Sequence, residues 1–198
     1  MEPSDVGMHE SILSRPLDPI EKLILHLTDS DNRCPKSDNQ IQAIMFLVSE
    51  VLPEFFGDRL RFEPDGKWPH SQMVDDRLRS LREEGVIDVS SCSLTDVGKA
   101  ISEPAVPEEP LGWVVDSIMS LVMDVSEDEL FLIICCDHPE YRHDSDEWAR
   151  VSVNRRNLAE AMLCRHVVSA ARAAELAGVT EQQFFDDLHE RGVRWRCP

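Results

Sequence analysis

Lysine is almost absent from this chain, with four residues (Lys22, Lys36, Lys67 and Lys99) in a sequence of 198. Lysine and arginine together number 20 against 38 Asp and Glu, a formal net charge of −18. Affinity for a phosphate backbone comes mainly from basic side chains releasing counterions. The composition therefore excludes a broadly basic nucleic-acid binder and leaves only a local basic patch, built from arginine. A GC-rich genome or a salt-adapted cytoplasm would produce the same bias. The six cysteines (Cys34, Cys92, Cys135, Cys136, Cys164, Cys197) contain no CxxC pair, which argues against a disulfide framework and for reduced thiols. The opening residues, MEPSDVGMHES, lack the basic start and apolar run of a signal peptide. The longest apolar stretches, Leu111 to Met123 and Leu130 to Cys136, are too short for a bilayer, and Asp116 interrupts the first. A cytoplasmic protein with no membrane contact is expected. No phosphate-cradling glycine loop, nucleophile elbow or HExxH pair is present, and no internal repeat; the chain does not read as an enzyme.

What is present is mostly helical. Residues 1–17 are polar, carry no period and are expected to be disordered. Asp18-Pro19-Ile20-Glu21 reads as a helix start, with a capping carboxylate, proline at the first position and glutamate at the third. Ile20, Leu23, Ile24 and Leu27 follow on one face. Ser37, with Gln40 three residues on, caps a second helix that carries Ile41, Ile44, Met45, Val48 and Leu52, closed by Pro53 and Gly57. Arg59 to Phe62 alternates like a short strand. From Ser71 to Glu84 Val74, Leu78 and Leu81 share one helical face, and Gly85 stops the run. Val86, Ile87 and Val89, the Ser90-Ser91 turn and Leu94 suggest a tight hairpin, after which Thr95 can cap a helix from Asp96 to Ile101. Helix, hairpin and helix in that order are the second half of a winged helix.

The segment 102–110, SEPAVPEEP, reads as a linker. Beyond it, residues 111–198 form a helical region. Leu111 to Asp124 is an apolar helix, Ser126 to Glu129 opens another in capping-box form running to Asp137, and His138 to Val151 reads as a polar loop. Asn154 to Arg165 would bury Leu158, Ala161 and Met162. Ser169 opens a short helix broken at Gly178-Val179, and Thr180 with Gln183 caps a last one carrying Phe184, Phe185 and Leu188. Ala174 sits four residues before Gly178, the spacing of a helix-turn-helix. The expected fold is mainly α: a winged-helix domain over 18–101 with a small β-hairpin wing, the linker, and a C-terminal region ending in a helix-turn-helix.

Two resemblances follow from these residues. Ile41-Gln42-Ala43-Ile44-Met45-Phe46, Trp68-Pro69-His70-Ser71, Leu78 and Leu81 with Gly85-Val86-Ile87, and Leu94-Thr95-Asp96-Val97-Gly98 resemble the winged-helix domain of the Panacea antitoxin type over about residues 20–101. The chain departs from that pattern at the "YGPYS" turn, where tryptophan and histidine flank the proline. RAAELAGVTEQQFFDDLHERGV is similar to the C-terminal helix-turn-helix of small antitoxin-like prokaryotic proteins, over about 155–193, and Asp128-Glu129-Leu130 to Pro139-Glu140-Tyr141 resembles a segment that follows some such winged helices. These resemblances imply a regulator or antitoxin-like protein, and their motifs report fold better than function.

On the helix at 71–84 and just before it, Lys67, Ser71, Gln72, Arg77, Arg79 and Arg82 are the candidate contacts to double-stranded DNA, arginine for guanine edges and phosphates, serine and lysine for the backbone. One such module covers little sequence, so a homodimer is expected. Asp75, Asp76, Glu83 and Glu84 lie on the same helix, and a charge-laced solvated face accounts for these residues equally well. The last helix exposes Glu181, Gln182, Gln183, Asp186, Asp187 and Glu190, which repel phosphate; Arg172, Arg191, Arg194 and Arg196 are its only basic neighbours. Packing or dimerisation suits that helix better. The competing expectation is a protein-binding adaptor or antitoxin whose acidic surface engages a partner such as a toxin. Cys135, Cys136, Asp137, His138 and His143 with Cys164 and His166 raise the question of zinc, but the spacing is not that of a finger, and Cys135 and Cys136 continue an apolar helix as small hydrophobes. No metal or cofactor is expected.

Overall fold

The computed structural model describes residues 16–29, 35, 37–56, 59–64, 68–102, 110–142 and 146–193. Almost all of the expected disordered N-terminus and of the 102–110 linker lies outside these residues, as do Lys67, Cys34, Cys197, His143, Arg194 and Arg196. Among the described residues the protein is mainly helical, with eleven α-helices and one small two-stranded antiparallel sheet. None of these helices is long and apolar enough to cross a membrane. The chain divides into two compact units, one holding residues up to 63 with 69–120, the other 64–68 with 121–198.

In the first unit α1 (Pro19–Thr28) begins as the sequence predicts. Asp18 Oδ1 accepts from the amides of Ile20 and Glu21, and Glu21 Oε2 accepts from the Asp18 amide, each at 2.9 Å. That reciprocal box satisfies orphan donors of the first turn. α2 (Asp38–Val51) is capped by Ser37 and is buried nearly all round, with Ile41, Ala43, Ile44, Met45 and Val48 fully inaccessible. It is the centre of the unit. α3 (Pro53–Phe56) follows, then β1 (Glu63–Pro64) paired with β2 (Pro69–His70). The strand expected over Arg59–Phe62 does not form there; the strand is Glu63–Pro64, just after it. Phe62 leaves the pattern to pack edge-on against Phe46, centroids 5.3 Å apart.

α4 (Gln72–Glu83) buries Val74, Leu78 and Leu81, the three predicted positions, and packs on α1. It ends where Gly85 takes φ +71° and the Val86 amide reaches back to the Leu81 carbonyl at 2.8 Å, a left-handed stop that suits glycine. The hairpin that follows is reduced to a single antiparallel bridge, Ile87 with Leu94. Its tip is held by Asp88, whose Oδ1 accepts from the amides and hydroxyls of both Ser90 and Ser91. Those donors pull the Asp88 carboxyl down to about 2. Thr95 then joins the two helix ends. Its hydroxyl donates to the Gly85 carbonyl at 2.7 Å and accepts from the Gly98 amide at 3.1 Å, capping α5 (Asp96–Ser102). α6 (Leu111–Asp124) comes next.

In the second unit α7 (Glu127–Asp137) has an apolar run, Leu130 to Cys135, buried on all sides. The capping box Ser126–Glu129 forms, and the buried Glu129 carboxylate is met by Arg165 at 2.7 Å. The segment expected as a loop, His138 to Val151, instead holds a 3₁₀ turn (Pro139–Arg142) and a further helix, α8 (Asp146–Val153). Only Val151 of α8 is buried, so the helix has too little apolar periodicity to be seen in sequence. Trp148 anchors it, with the Arg142 guanidinium 5.0 Å and that of Arg155 5.9 Å from its ring. Both arginines also donate to helix-end carbonyls, Arg142 to Cys135 and Cys136, Arg155 to Leu176 and Glu175.

α9 (Arg155–Cys164), α10 (Ala170–Ala177) and α11 (Glu181–Glu190) complete the unit. α9 buries Ala159, Met162 and Leu163. Ala173, Ala174 and Ala177 let α10 lie close against α9. Gly178 adopts φ +73°, with the Val179 amide bonded to the Ala174 carbonyl at 3.1 Å, and Thr180 with Gln183 caps α11. Ala174 and Gly178 thus lie at the turn that joins α10 to α11.

Candidate functional site

α4 was the expected reading helix, and it is electrically balanced. Its three arginines, Arg77, Arg79 and Arg82, share Gln72–Glu83 with three acids, Asp75, Asp76 and Glu83. The fold then closes every one of these arginines against a carboxylate. Arg77 Nε lies 2.6 Å from Asp18 Oδ2, using the oxygen that the α1 cap leaves over. Arg79 sits 3.1 Å from Asp76 one turn back, and both are largely exposed. Arg82 makes a two-pronged pair with Asp38, at 2.8 and 2.5 Å. The guanidinium holds the Asp38 carboxyl below the usual carboxylate range, and Asp38 in turn raises Arg82.

Of the other expected contacts, Gln72 is exposed and donates to Asp76 at 2.9 Å. Ser71 is buried, 1% exposed, as the N-cap of α4. Lys67 lies outside the described residues. Outward from α4 the surface forms a hollow of about 450 Å³ lined by Asp38, Asp75, Leu78, Arg79, Arg82, Glu83 and Val89. Three carboxylates face two arginines there. Val89, 79% exposed, stands at its edge.

Sequence reasoning missed Gln42. Buried at 3% exposure, its amide spans both polar groups of the Ser71 backbone, accepting from the Ser71 N–H at 3.0 Å and donating to the Ser71 carbonyl at 3.1 Å. The same Nε2 reaches Asp75 Oδ1 at 2.7 Å, and Asp75 Oδ2 pairs with His70 Nε2 at 2.7 Å. A glutamine inside a run of otherwise buried apolar residues was the signal for such a bond, since a buried amide must be partnered. Asp18 was read only as a helix-start residue, and Asp38, next to the Ser37 cap, was not singled out. Nothing local tells a capping acid that it will also meet an arginine dozens of residues away.

The second unit repeats the pattern. Arg172 pairs with Asp137 at 2.6 Å and with Glu175 at 2.7 Å, and Arg191 with Glu160 at 2.6 Å and Asp187 at 2.9 Å. Cys135 is buried, its thiol pushed up to about 12 by desolvation, and burial raises Cys136 as well. Among the described residues no three His, Cys, Asp or Glu side chains come together in a way that could hold a metal ion. Compared with protein-family models, with curated proteins and with solved structures, the chain finds no match.

Proposed function

We propose that this chain is a non-enzymatic, protein-binding adaptor of antitoxin-like type, with a winged helix as its first unit and the Ile87–Leu94 bridge as the base of a short wing. The carboxylate-rich hollow on α4 carries this reading. Each α4 arginine is neutralised within its own unit, so the outward face offers carboxylates with the apolar Val89 beside them, on a chain of net charge −18. Such a face attracts a basic protein surface and repels phosphate. A DNA duplex would have to exchange these ion pairs for its own phosphates. Each exposed pair is worth only about 0.2–1 kcal/mol, but the carboxylates stay in place and oppose the approach.

The second reading, a homodimeric DNA-binding transcriptional regulator, draws support from Arg59 and Arg61, which are exposed near the start of α4 and carry no ion pair among the described residues. One experiment separates the two. The purified chain and an Arg79→Glu/Arg82→Glu variant are titrated with duplex DNA from the region upstream of the coding sequence over a salt series. In parallel, a protein that co-purifies from the native cells is identified and the complex rebuilt from pure components. Adaptor function predicts no saturable DNA binding at low salt, and a reconstituted complex that weakens with salt and with Asp38→Asn/Glu83→Gln. Sequence-dependent DNA binding abolished in the Arg79→Glu/Arg82→Glu variant would overturn it.

A further inference from the structure

The start of α4 has a feature that neither reading of its outward face uses. An N-cap serine normally accepts from the amide two or three residues on, relieving one of the orphan donors of the first turn. Ser71 makes no such bond. Its backbone is extended, φ −119° and ψ 118°, and its hydroxyl is buried with no hydrogen-bond partner among the described residues. The Gln42 clamp on both sides of the Ser71 peptide holds it there. The hydroxyl is therefore left idle by a locked backbone, and the first-turn amides of α4 are not taken up by their cap.

Beside them is a cavity of about 290 Å³ lined by Arg59, Arg61, Glu63, His70, Ser71, Gln72 and Met73, all in the first unit. Arg59 and Arg61 come from the segment just before the sheet and are free of carboxylate partners among the described residues. Arg77, Arg79, Arg82, Arg150, Arg165, Arg172 and Arg191 all pair with acids, and Arg142 and Arg155 are committed to helix-end carbonyls and Trp148; Arg59 and Arg61 share their lack of an ion pair among the described residues with Arg156 but, unlike it, stand together at one cavity. Two uncommitted guanidinium groups, a helix N-terminus with spare amides and an unpartnered hydroxyl make up the donor set of an oxyanion site. Glu63 in the wall is the single opposing charge, exposed and able to swing away; Asp75, the other nearby acid, is held by Gln42 and His70.

We infer that the cavity between Arg59, Arg61 and the N-terminus of α4 binds a phosphoryl oxyanion, with Ser71 Oγ donating to it. The shared chemistry is a tetrahedral phosphate, supplied either free, as inorganic phosphate or a small phosphorylated compound, or by a nucleic-acid backbone. The inference does not rest on the adaptor reading, since it concerns the opposite end of α4 from Arg82.

The test is amide NMR of the full chain titrated with inorganic phosphate, beside Arg59→Gln/Arg61→Gln and Ser71→Ala. Because the Ser71 hydroxyl has no partner, Ser71→Ala keeps the fold, which its melting temperature verifies. Saturable shifts at Gln72, Met73 and Val74, with affinity reduced about tenfold or more in the double arginine variant and several-fold in Ser71→Ala, are expected. Absence of saturation, or shifts unchanged in the arginine variant, would overturn the site. A competition arm identifies the source: displacement of phosphate by a short synthetic duplex assigns the site to a nucleic-acid backbone, and failure of the duplex to displace it assigns it to a free phosphoryl compound.

Discussion

Replacing Gln42 with leucine tests the central contact of the first unit. The substitution keeps the volume and removes three hydrogen bonds. Their losses are unequal. The Ser71 N–H has no other acceptor and becomes a buried orphan, at a cost of about 1–3 kcal/mol. The Ser71 carbonyl keeps the Asp75 amide, which donates to it at 3.2 Å. Asp75 loses one donor and retains His70. Gln42→Leu should therefore destabilise the first unit by about 3 kcal/mol, or roughly 15 °C of melting temperature for a unit of this size. Hydrogen exchange resolved by segment is the suitable assay, since protection should fall in α2 and α4 while the helices of the second unit keep theirs. Gln42→Glu sharpens the test: a carboxylate can accept from Ser71 but would face Asp75, so it should be at least as damaging near neutrality and partly recover toward pH ~4, where glutamate protonates. If Gln42→Leu cost less than about 0.5 kcal/mol, the clamp would be incidental to stability and the account of Ser71 would fail.

Three further predictions concern other elements. Gly178→Ala forces a side chain into φ +73° and brings its Cβ to 2.5 Å from the Arg155 guanidinium, which must leave the Leu176 carbonyl; a loss of about 2 kcal/mol is expected in urea unfolding of the second unit, with α10 and α11 losing exchange protection first. Asp38 titrates below its ordinary value because of Arg82, so the pair contributes stability above the ordinary carboxylate range and loses it as pH falls through the lowered value. In Asp38→Asn that segment of the acid-stability curve should flatten, and at neutral pH the half-exposed pair should be worth about 1 kcal/mol by double-mutant cycle. In a variant with Cys34 and Cys197 replaced by serine, a thiol reagent at mildly alkaline pH should modify the exposed Cys164 and spare Cys135, whose thiol stays protonated to about 12; rapid labelling of Cys135 in the native state would show that α7 is not buried as described.

Where sequence and structure agree, the interaction is local. The boxes at Asp18–Glu21, Ser126–Glu129 and Thr180–Gln183 each join residues three apart, so the residue types alone prescribe the geometry. The stops at Gly85 and Gly178 are prescribed in the same way, and the buried stripe Val74–Leu78–Leu81 follows from helical period. α8 escaped because it is held by a stacked tryptophan and one buried valine rather than by an apolar face. The short strand was placed too early because Phe62, which resembles a strand residue, is used as an aromatic contact instead.

The mainly helical character, the helix boundaries and the acidic surface were determined by the sequence itself, through short-range capping, periodicity and charge count. Which arginines are free was decided only by the tertiary structure. Arg82 and Asp38 are 44 residues apart, and Gln42 and Ser71 are 29 apart. An ion pair or buried amide clamp at that separation exists only once packing has brought two helices together, and no local pattern encodes it. The expected basic face of α4 was neutralised by such long-range pairs at Arg77 and Arg82 and by Asp76, one turn back, at Arg79, while Arg59 and Arg61, read only as part of a short strand, form no ion pair among the described residues.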